Sequence, residues 1–188
     1  SNSDVGDDPN EMGDNLQPVL LGTGAVAVKI AAGKDHACAI LNNGKIKCWG
    51  SNNAGKLGIG DTTNRGTTTA SMGDNLPIVD LGIGYEAIEV ACGEEHTCAI
   101  LASGLVKCWG ANAFGQLGID SKDNRGDGAL PMGDGLPNVQ VQGGDLIAVA
   151  IGLGELHTCA IAVSGDTFCW GIGSSGQLGT PDTDWIGQ

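Results

Sequence analysis

Three histidines each precede a pair of cysteines, and such sets of side chains can either bind a metal ion or form a disulfide. In every set a cysteine lies two positions after the histidine, and a second cysteine follows ten positions later. A structural zinc site needs four ligands and usually takes them from closely spaced pairs, and no set supplies a fourth ligand. Disulfides are therefore favoured, with metal binding as the alternative. The sets are His36, Cys38 and Cys48; His96, Cys98 and Cys108; and His157, Cys159 and Cys169.

The register of a predicted hairpin supports the disulfides. Residues 42–44 separate two β-prone runs and end in glycine, which readily adopts the left-handed backbone that a three-residue loop requires. This loop pairs Leu41 with Lys45 and so places Cys38 opposite Cys48, at a Cα separation of about 5 Å that a disulfide accepts. The other two sets have the same spacing. Three such bonds predict an oxidising location: extracellular, cell surface or periplasmic.

The seventh cysteine, Cys92, has no cysteine at the equivalent positions, Ala32 and Leu153. We interpret it as a buried free thiol, with an intermolecular disulfide as the alternative.

The three histidines occur once in each set, which indicates a structural role such as hydrogen bonding to the next strand. No serine, free cysteine or acid pair accompanies them in a catalytic arrangement. We therefore predict no catalytic, cofactor-binding or metal-binding residue, and no enzymatic activity. An active site between neighbouring sheets is the weaker alternative.

Three of the four tryptophans recur at one position of the pattern and are expected to fill the space between neighbouring sheets; an aromatic binding rim is the alternative. The fourth, Trp185, lies outside the pattern and is a candidate for an exposed contact. The recurring tryptophans are Trp49, Trp109 and Trp170.

An acidic loop offers Asp120, Asp123 and Asp127 as oxygen ligands for calcium. The loop lacks the 12-residue calcium-binding pattern with its terminal glutamate, so a solvated turn is favoured. Weak calcium binding is the alternative.

One unit, copied three times, carries all of these residues. Met-Gly-Asp recurs at Met12, Met72 and Met132, in steps of about 60 residues. Each copy contains four short apolar runs between glycine-rich turns, which predict a four-stranded antiparallel meander, and no stretch has a helical period. The strands are apolar on both faces, so each sheet is expected to lie between two neighbours. We predict one all-β domain over residues 1–188, with units at about 4–63, 64–123 and 124–187.

Composition limits the classes of partner. The chain has 188 residues, of which 33 are glycine, and its net charge is −13. That charge opposes binding to nucleic acid or anionic lipid and favours cationic partners or divalent ions. No apolar run approaches the roughly 18 residues that cross a bilayer. The polar, acidic start contains no recognisable signal peptide, as in a mature, trimmed or cloned chain.

The series Gly-x-x-His-x-Cys-Ala-Ile, Cys-Trp-Gly and Gly-x-Leu-Gly covers most of each unit and resembles the regulator-of-chromosome-condensation repeat. It is most similar to the secreted, cysteine-containing branch of that family. The resemblance implies β-propeller blades of four strands, in rings of about seven blades. Because members of the family differ widely in function, the fold alone does not select one.

We therefore predict a non-enzymatic, secreted or cell-surface module for protein–protein interaction, with no cofactor and no membrane insertion. Its partner contacts are expected in loops 59–72 and 119–132. The strands of the two outer units, near Ala27 and Ala148, are as apolar as the equivalent strand of the middle unit, although terminal repeats usually have a polar outer face. Two alternatives follow: part of a longer propeller with inhibitor-like or regulatory binding, or a structural subunit whose copies assemble into a ring or filament.

Overall fold

The computed structural model describes residues 4–180, and these residues form an all-β fold. Short 3₁₀ turns occur between the strands, and no helix in the described range is long and apolar enough to span a membrane. The strands are β1 (Ala27–Ala32), β2 (His36–Leu41), β3 (Ile46–Gly50), β4 (Ala87–Cys92), β5 (His96–Leu101), β6 (Val106–Gly110), β7 (Gln140–Val141), β8 (Gly144–Asp145), β9 (Ala148–Leu153), β10 (His157–Ala162) and β11 (Thr167–Gly171).

Each unit forms a three-stranded antiparallel sheet: β1-β2-β3, β4-β5-β6 and β9-β10-β11. The sequence predicted four strands, and the segment expected to be the first strand of each unit behaves differently. Residues 77–82 lie beside β3 of the preceding sheet, where Val79 N donates to Ile46 O at 2.9 Å. A proline at 77 has no N–H to donate, which limits the ladder that this segment can form. In the third unit the corresponding region contains the two-stranded hairpin β7-β8.

The hairpin between β2 and β3 has the predicted register. Leu41 N donates to Lys45 O at 2.8 Å, and Gly44 has a φ of 72°, in the left-handed region. Cys38 therefore lies opposite Cys48, as the loop length predicts. The structure contains the three predicted disulfides, each with a Cα–Cα distance of 4.1 Å: Cys38–Cys48, Cys98–Cys108 and Cys159–Cys169.

The sheets pack face to face, and within residues 4–180 only the middle sheet is covered on both faces. Ile30 on β1 is 71% exposed, whereas its equivalent on β4, Val90, is 4% exposed. On the other side of the stack Ile161 on β10 is 41% exposed, whereas Ile100 on β5 is 1% exposed. Two apolar cores therefore fill the two joints between sheets, and the two outermost faces remain open.

We expect the paired substitution Cys98→Ala/Cys108→Ala to lower the free energy of unfolding by about 3 kcal/mol, because the bond restricts the unfolded chain. Guanidinium titration of both oxidised proteins measures the difference. Reduced wild type and reduced variant serve as the control pair, and their difference is expected to be much smaller. Equal differences in the two redox states would contradict this account.

Candidate functional site

The first joint contains a chain of hydrogen bonds that links side chains of the first two units. His36 Nε2 lies 2.9 Å from Thr97 Oγ1, and that hydroxyl donates to Lys56 O at 2.8 Å. Trp109 Nε1 donates to the same carbonyl at 3.0 Å. Because the threonine proton goes to the carbonyl, the hydroxyl accepts from the Nε2–H of His36. One histidine, one hydroxyl and one indole thus converge on a single turn of the first unit.

The second joint repeats this chain one unit later. His96 Nε2 lies 2.9 Å from Thr158 Oγ1, which donates to Gln116 O at 2.9 Å. Trp170 Nε1 donates to the same oxygen at 3.0 Å. His36 and His96 therefore link units, in agreement with the structural interpretation of the repeated histidines. His157 is at the open face of the third unit, and no following unit lies within the described residues.

The buried imidazoles are neutral near pH 7. Burial, together with the charge of Lys56, lowers the pKa of His36 to about 4. Burial, together with the neighbouring His36 and His157, lowers the pKa of His96 to about 3. The Nδ1 atoms of His36 and His96 are buried and have no hydrogen-bond partner. Such rings suit a structural hydrogen bond better than proton transfer at neutral pH.

The buried Lys56 forms two ion pairs with partly exposed carboxylates, and the sequence reasoning missed both. Its side chain is fully buried, and Nζ donates to Asp35 Oδ1 at 2.5 Å and to Glu95 Oε2 at 3.0 Å. Burial opposes ionisation of Asp35, but the lysine outweighs it and holds the pKa of Asp35 below its usual value. The second joint has Gln116 and Leu156 at the positions of Lys56 and Glu95. This paired change between units is the signal that could have revealed the contact.

Cys92 is a free thiol on β4, as predicted. Its Sγ lies 3.7 Å from Ala31 O of the first unit, and burial raises its pKa to about 12. The residue also lines a cavity of about 510 Å³ where the ends of β1, β4 and β9 meet. Charged residues surround the same cavity: Lys34, Glu94 and Glu155.

The two candidate contact loops, 59–72 and 119–132, lie side by side. Gly60 N donates to Gly126 O at 3.1 Å, and a Cβ on Gly55 would come within 2.2 Å of the backbone around residue 126. The buried side chain of Asn52 anchors the first loop, donating to Asp61 O at 2.7 Å and accepting from Leu57 N at 2.9 Å. Asn112 anchors the second loop by the equivalent bonds.

The outer parts of these loops are exposed, including Thr67 and Ala129. Two of the acidic side chains proposed for calcium instead make local bonds: Asp123 Oδ2 accepts from Ser121 Oγ at 2.9 Å, and Asp127 Oδ1 accepts from Ala129 N at 3.0 Å. Calcium binding by this loop stays a prediction. Trp185 lies outside the described residues.

An exposed acidic segment, residues 4–14, precedes the first sheet. It contains five carboxylates and no Lys or Arg. Glu11 turns back on this segment, accepting from Gly6 N at 2.7 Å, and these backbone bonds lower its pKa. The surface beside the first sheet is therefore strongly negative.

Comparison with known sequences matches this chain to profiles of one repeat family. Profiles described as the regulator of chromosome condensation (RCC1) repeat match residues 27–56, 87–116 and 43–100. The chain is 31% identical over 156 residues to the human probable E3 ubiquitin-protein ligase HERC4, covering 83% of this chain and 13% of that protein. It is 34% identical over 163 residues to human E3 ubiquitin-protein ligase HERC2, covering 84% of this chain and 3% of that protein. The chain thus spans a small part of either relative.

Structural comparison finds the same fold in yeast RCC1 (Prp20), solved bound to Kap60. The two structures superpose with a TM-score of 0.63 at 20% identity, over 85% of this chain and 35% of that one. The repeat motif, the all-β sheets and this superposition agree on one architecture, a stack of β-propeller blades.

We expect the free energy of unfolding to fall as the pH drops from 6.5 to 5.0. Over this range a histidine binds a proton in the unfolded chain, whereas His96 stays neutral in the folded protein. His96 therefore lowers the free energy of unfolding by roughly 1–2 kcal/mol over this interval, since its pKa is about 6.5 in the unfolded chain and far lower in the folded protein. Urea titrations at the two pH values measure the loss, and His96→Gln is expected to reduce it by about that amount. An unchanged pH dependence in the variant would show that His96 is not buried as a neutral ring.

Proposed function

We propose that this chain, which belongs to the regulator of chromosome condensation (RCC1) repeat family, is a non-enzymatic module that binds a protein partner through loops 59–72 and 119–132. The observation that carries the proposal is the joining of these loops across the first joint by the bond from Gly60 N to Gly126 O. Two loops that are fixed to one another and to a disulfide-linked scaffold lose little conformational entropy when a partner binds. Binding residues are commonly found on loops held by such a scaffold.

The chemistry of the described residues also supports binding rather than catalysis. His36 and His96 donate hydrogen bonds between units, and their low pKa values keep them neutral near pH 7. The free thiol of Cys92 has a raised pKa and is a poor nucleophile near pH 7. Yeast RCC1 (Prp20), which has the same fold, is bound to a protein, Kap60, in its structure.

A partner with a basic surface fits the charge of the chain. The net charge is −13, and the exposed segment 4–14 alone has five carboxylates. Opposite charge would speed association and select against acidic partners. The three disulfides favour a location outside the reducing cytosol, so the partner is expected in the extracellular space, at the cell surface or in the periplasm.

Site-specific photocross-linking tests the proposal. A photoreactive residue replaces Thr67 in one linker, and in the control it replaces Asn42, an exposed hairpin residue of the first unit. We expect a cross-linked product with a second protein from position 67 and none from position 42, and we expect the yield to fall as salt rises. Labelling intact cells with a membrane-impermeant reagent in the same experiment reports location. Equal products from both positions, or none from either, would contradict the proposal.

Self-association is a second candidate function, favoured by the open faces of the outermost sheets. Ile30 and Ile161 are 71% and 41% exposed, whereas their equivalents in the covered middle sheet are 4% and 1% exposed. These faces fit either further repeats of the same protein or a second copy of the chain. The joint from the third unit to the first would differ from the other two, because Ala37 stands where Thr97 and Thr158 accept from a histidine.

Sedimentation velocity over a hundredfold range of concentration tests self-association. Assembly through the open faces predicts larger species as concentration rises, and predicts that Ile30→Lys abolishes them because it buries an unpaired charge. The exposed Ile83 is 90% exposed on a turn, so Ile83→Lys is the matched control. A monomer at every concentration would exclude this candidate.

A further inference from the structure

Neighbouring units are joined by the same contact at both joints, in which a glycine turn of one unit packs against a tryptophan of the next. At the first joint Trp109 Nε1 donates to Lys56 O at 3.0 Å. A Cβ on Gly58, in the same turn, would come within 2.6 Å of that indole nitrogen and within 3.0 Å of Val79 Cγ1. The tryptophan and the valine therefore form a groove that only a glycine turn fits.

The second joint has the equivalent groove. Trp170 Nε1 donates to Gln116 O at 3.0 Å. A Cβ on Gly118 would come within 2.7 Å of the same nitrogen and within 3.0 Å of Val139 Cγ1. Because the two joints agree in these distances, the contact is a general way of joining two units of this sequence.

At one end of the stack the groove is open. Trp49 and Val19 have the positions of the tryptophan and the valine, and they line a cavity of about 400 Å³ together with Met72. Val19 is 51% exposed, whereas Val79 and Val139 are 2% and 0% exposed. The first unit therefore presents a groove that the other two units fill with a glycine turn.

At the other end the matching turn is free. Residues 176–179 form the glycine turn of the third unit, with Gln177 and Gly179 at the positions of Lys56 and Gly58. A Cβ on Gly179 would meet no described atom within 4 Å. Gly179 has a φ of 69° and Gly58 a φ of 68°, so the free turn already has the conformation that the groove accepts.

We propose that the groove of Trp49 and Val19 binds the turn 176–179 of a second copy, so that copies of this chain join head to tail. This inference rests on self-association, the second candidate function, and identifies the contact that mediates it. In the joined state Trp49 Nε1 donates to Gln177 O of the second copy, and Gly179 packs against the indole. Because groove and turn lie at opposite ends of the stack, the contact is heterologous, and it either closes into a ring or continues as a filament.

The strand edges at the two ends also match. Val79 N donates to Ile46 O at 2.9 Å, so the valine of the groove is bonded to the third strand of the preceding sheet as well. Thr167 on β11 has the position of Ile46, and β11 lies at the edge of its sheet. In the joined state Val19 N donates to Thr167 O of the second copy. An unpaired strand edge readily pairs with another chain, and this bond would cover it.

The joint between copies has fewer polar contacts than the internal joints. Ala37 stands where Thr97 accepts from a histidine. Phe168 stands where Lys107 Nζ donates to Gly133 O at 2.9 Å. Without these two hydrogen bonds the joint is weaker, so assembly is expected to be reversible and to depend on concentration.

A complementation experiment by sedimentation velocity tests the proposal on the full chain. Val19→Asp blocks the groove, because docking would bury an unpaired charge, and it leaves the turn intact. Gly179→Asn blocks the turn, because its Cβ would meet the indole of Trp49, and asparagine tolerates the left-handed backbone at this position. We expect each variant to stay monomeric where the wild type assembles, and an equimolar mixture to form a complex of two copies and nothing larger.

Matched controls lie in the middle unit. Ile78→Asp introduces the same charge at a residue that is 48% exposed, and Gly84→Asn introduces asparagine at a left-handed glycine with open space around it. Both are expected to assemble like the wild type. Tryptophan fluorescence reports whether each variant is folded, and Val19→Ser, a milder change at the same half-exposed residue, takes the place of Val19→Asp if that protein is unfolded.

The outcomes separate the contact from self-association as such. Assembly that persists in either single variant would overturn the contact and leave self-association standing. A mixture of the two folded variants that stays monomeric would also overturn the contact. A wild-type chain that is monomeric at every concentration would overturn both.

Discussion

The stack of sheets depends on the hydrogen bond from a histidine of one unit to a threonine hydroxyl of the next. At each joint that hydroxyl donates to a carbonyl which also accepts from a buried indole, so four residues from two units satisfy one another away from water. A buried polar group costs free energy unless it is paired, so removing one member leaves the others unsatisfied. The bond thus fixes both the spacing and the rotation of neighbouring units.

The close approach of the backbones follows from the same contact. A Cβ on Gly33 would come within 2.3 Å of Gly93 O, and one on Gly93 would come within 2.7 Å of Gly154 O. Glycine at these positions lets the turn before each histidine pack directly against the equivalent turn of the next unit. The apolar cores then fill the remaining space between the sheets, and they include Trp109 and Trp170. Both joints share these contacts, and the ion pairs of Lys56 and the thiol of Cys92 occur only at the first joint of the described residues.

The sequence predicted the features that depend on local geometry. Loop length and a terminal glycine at position 44 set the hairpin register, and the register alone paired Cys38 with Cys48. The repeated histidine suggested a structural role, but the acceptor, Thr97, could not be identified because the contact joins residues 61 positions apart. The predicted first strand of the four-stranded meander was wrong. Residues 77–82 instead lie beside β3 of the preceding sheet, where Val79 N donates to Ile46 O, and the β-propensity of a segment does not indicate which distant strand it will contact.

The central claim is that His96 and Thr158 stabilise the protein together, as partners across a joint. A double-mutant cycle of His96→Ala, Thr158→Ala and the pair, measured by urea unfolding at pH 7.5, tests it most directly, and alanine is the residue that the first unit already has at position 37. The account predicts a coupling free energy of about 1–2 kcal/mol between the two positions. Additivity within about 0.5 kcal/mol would contradict it.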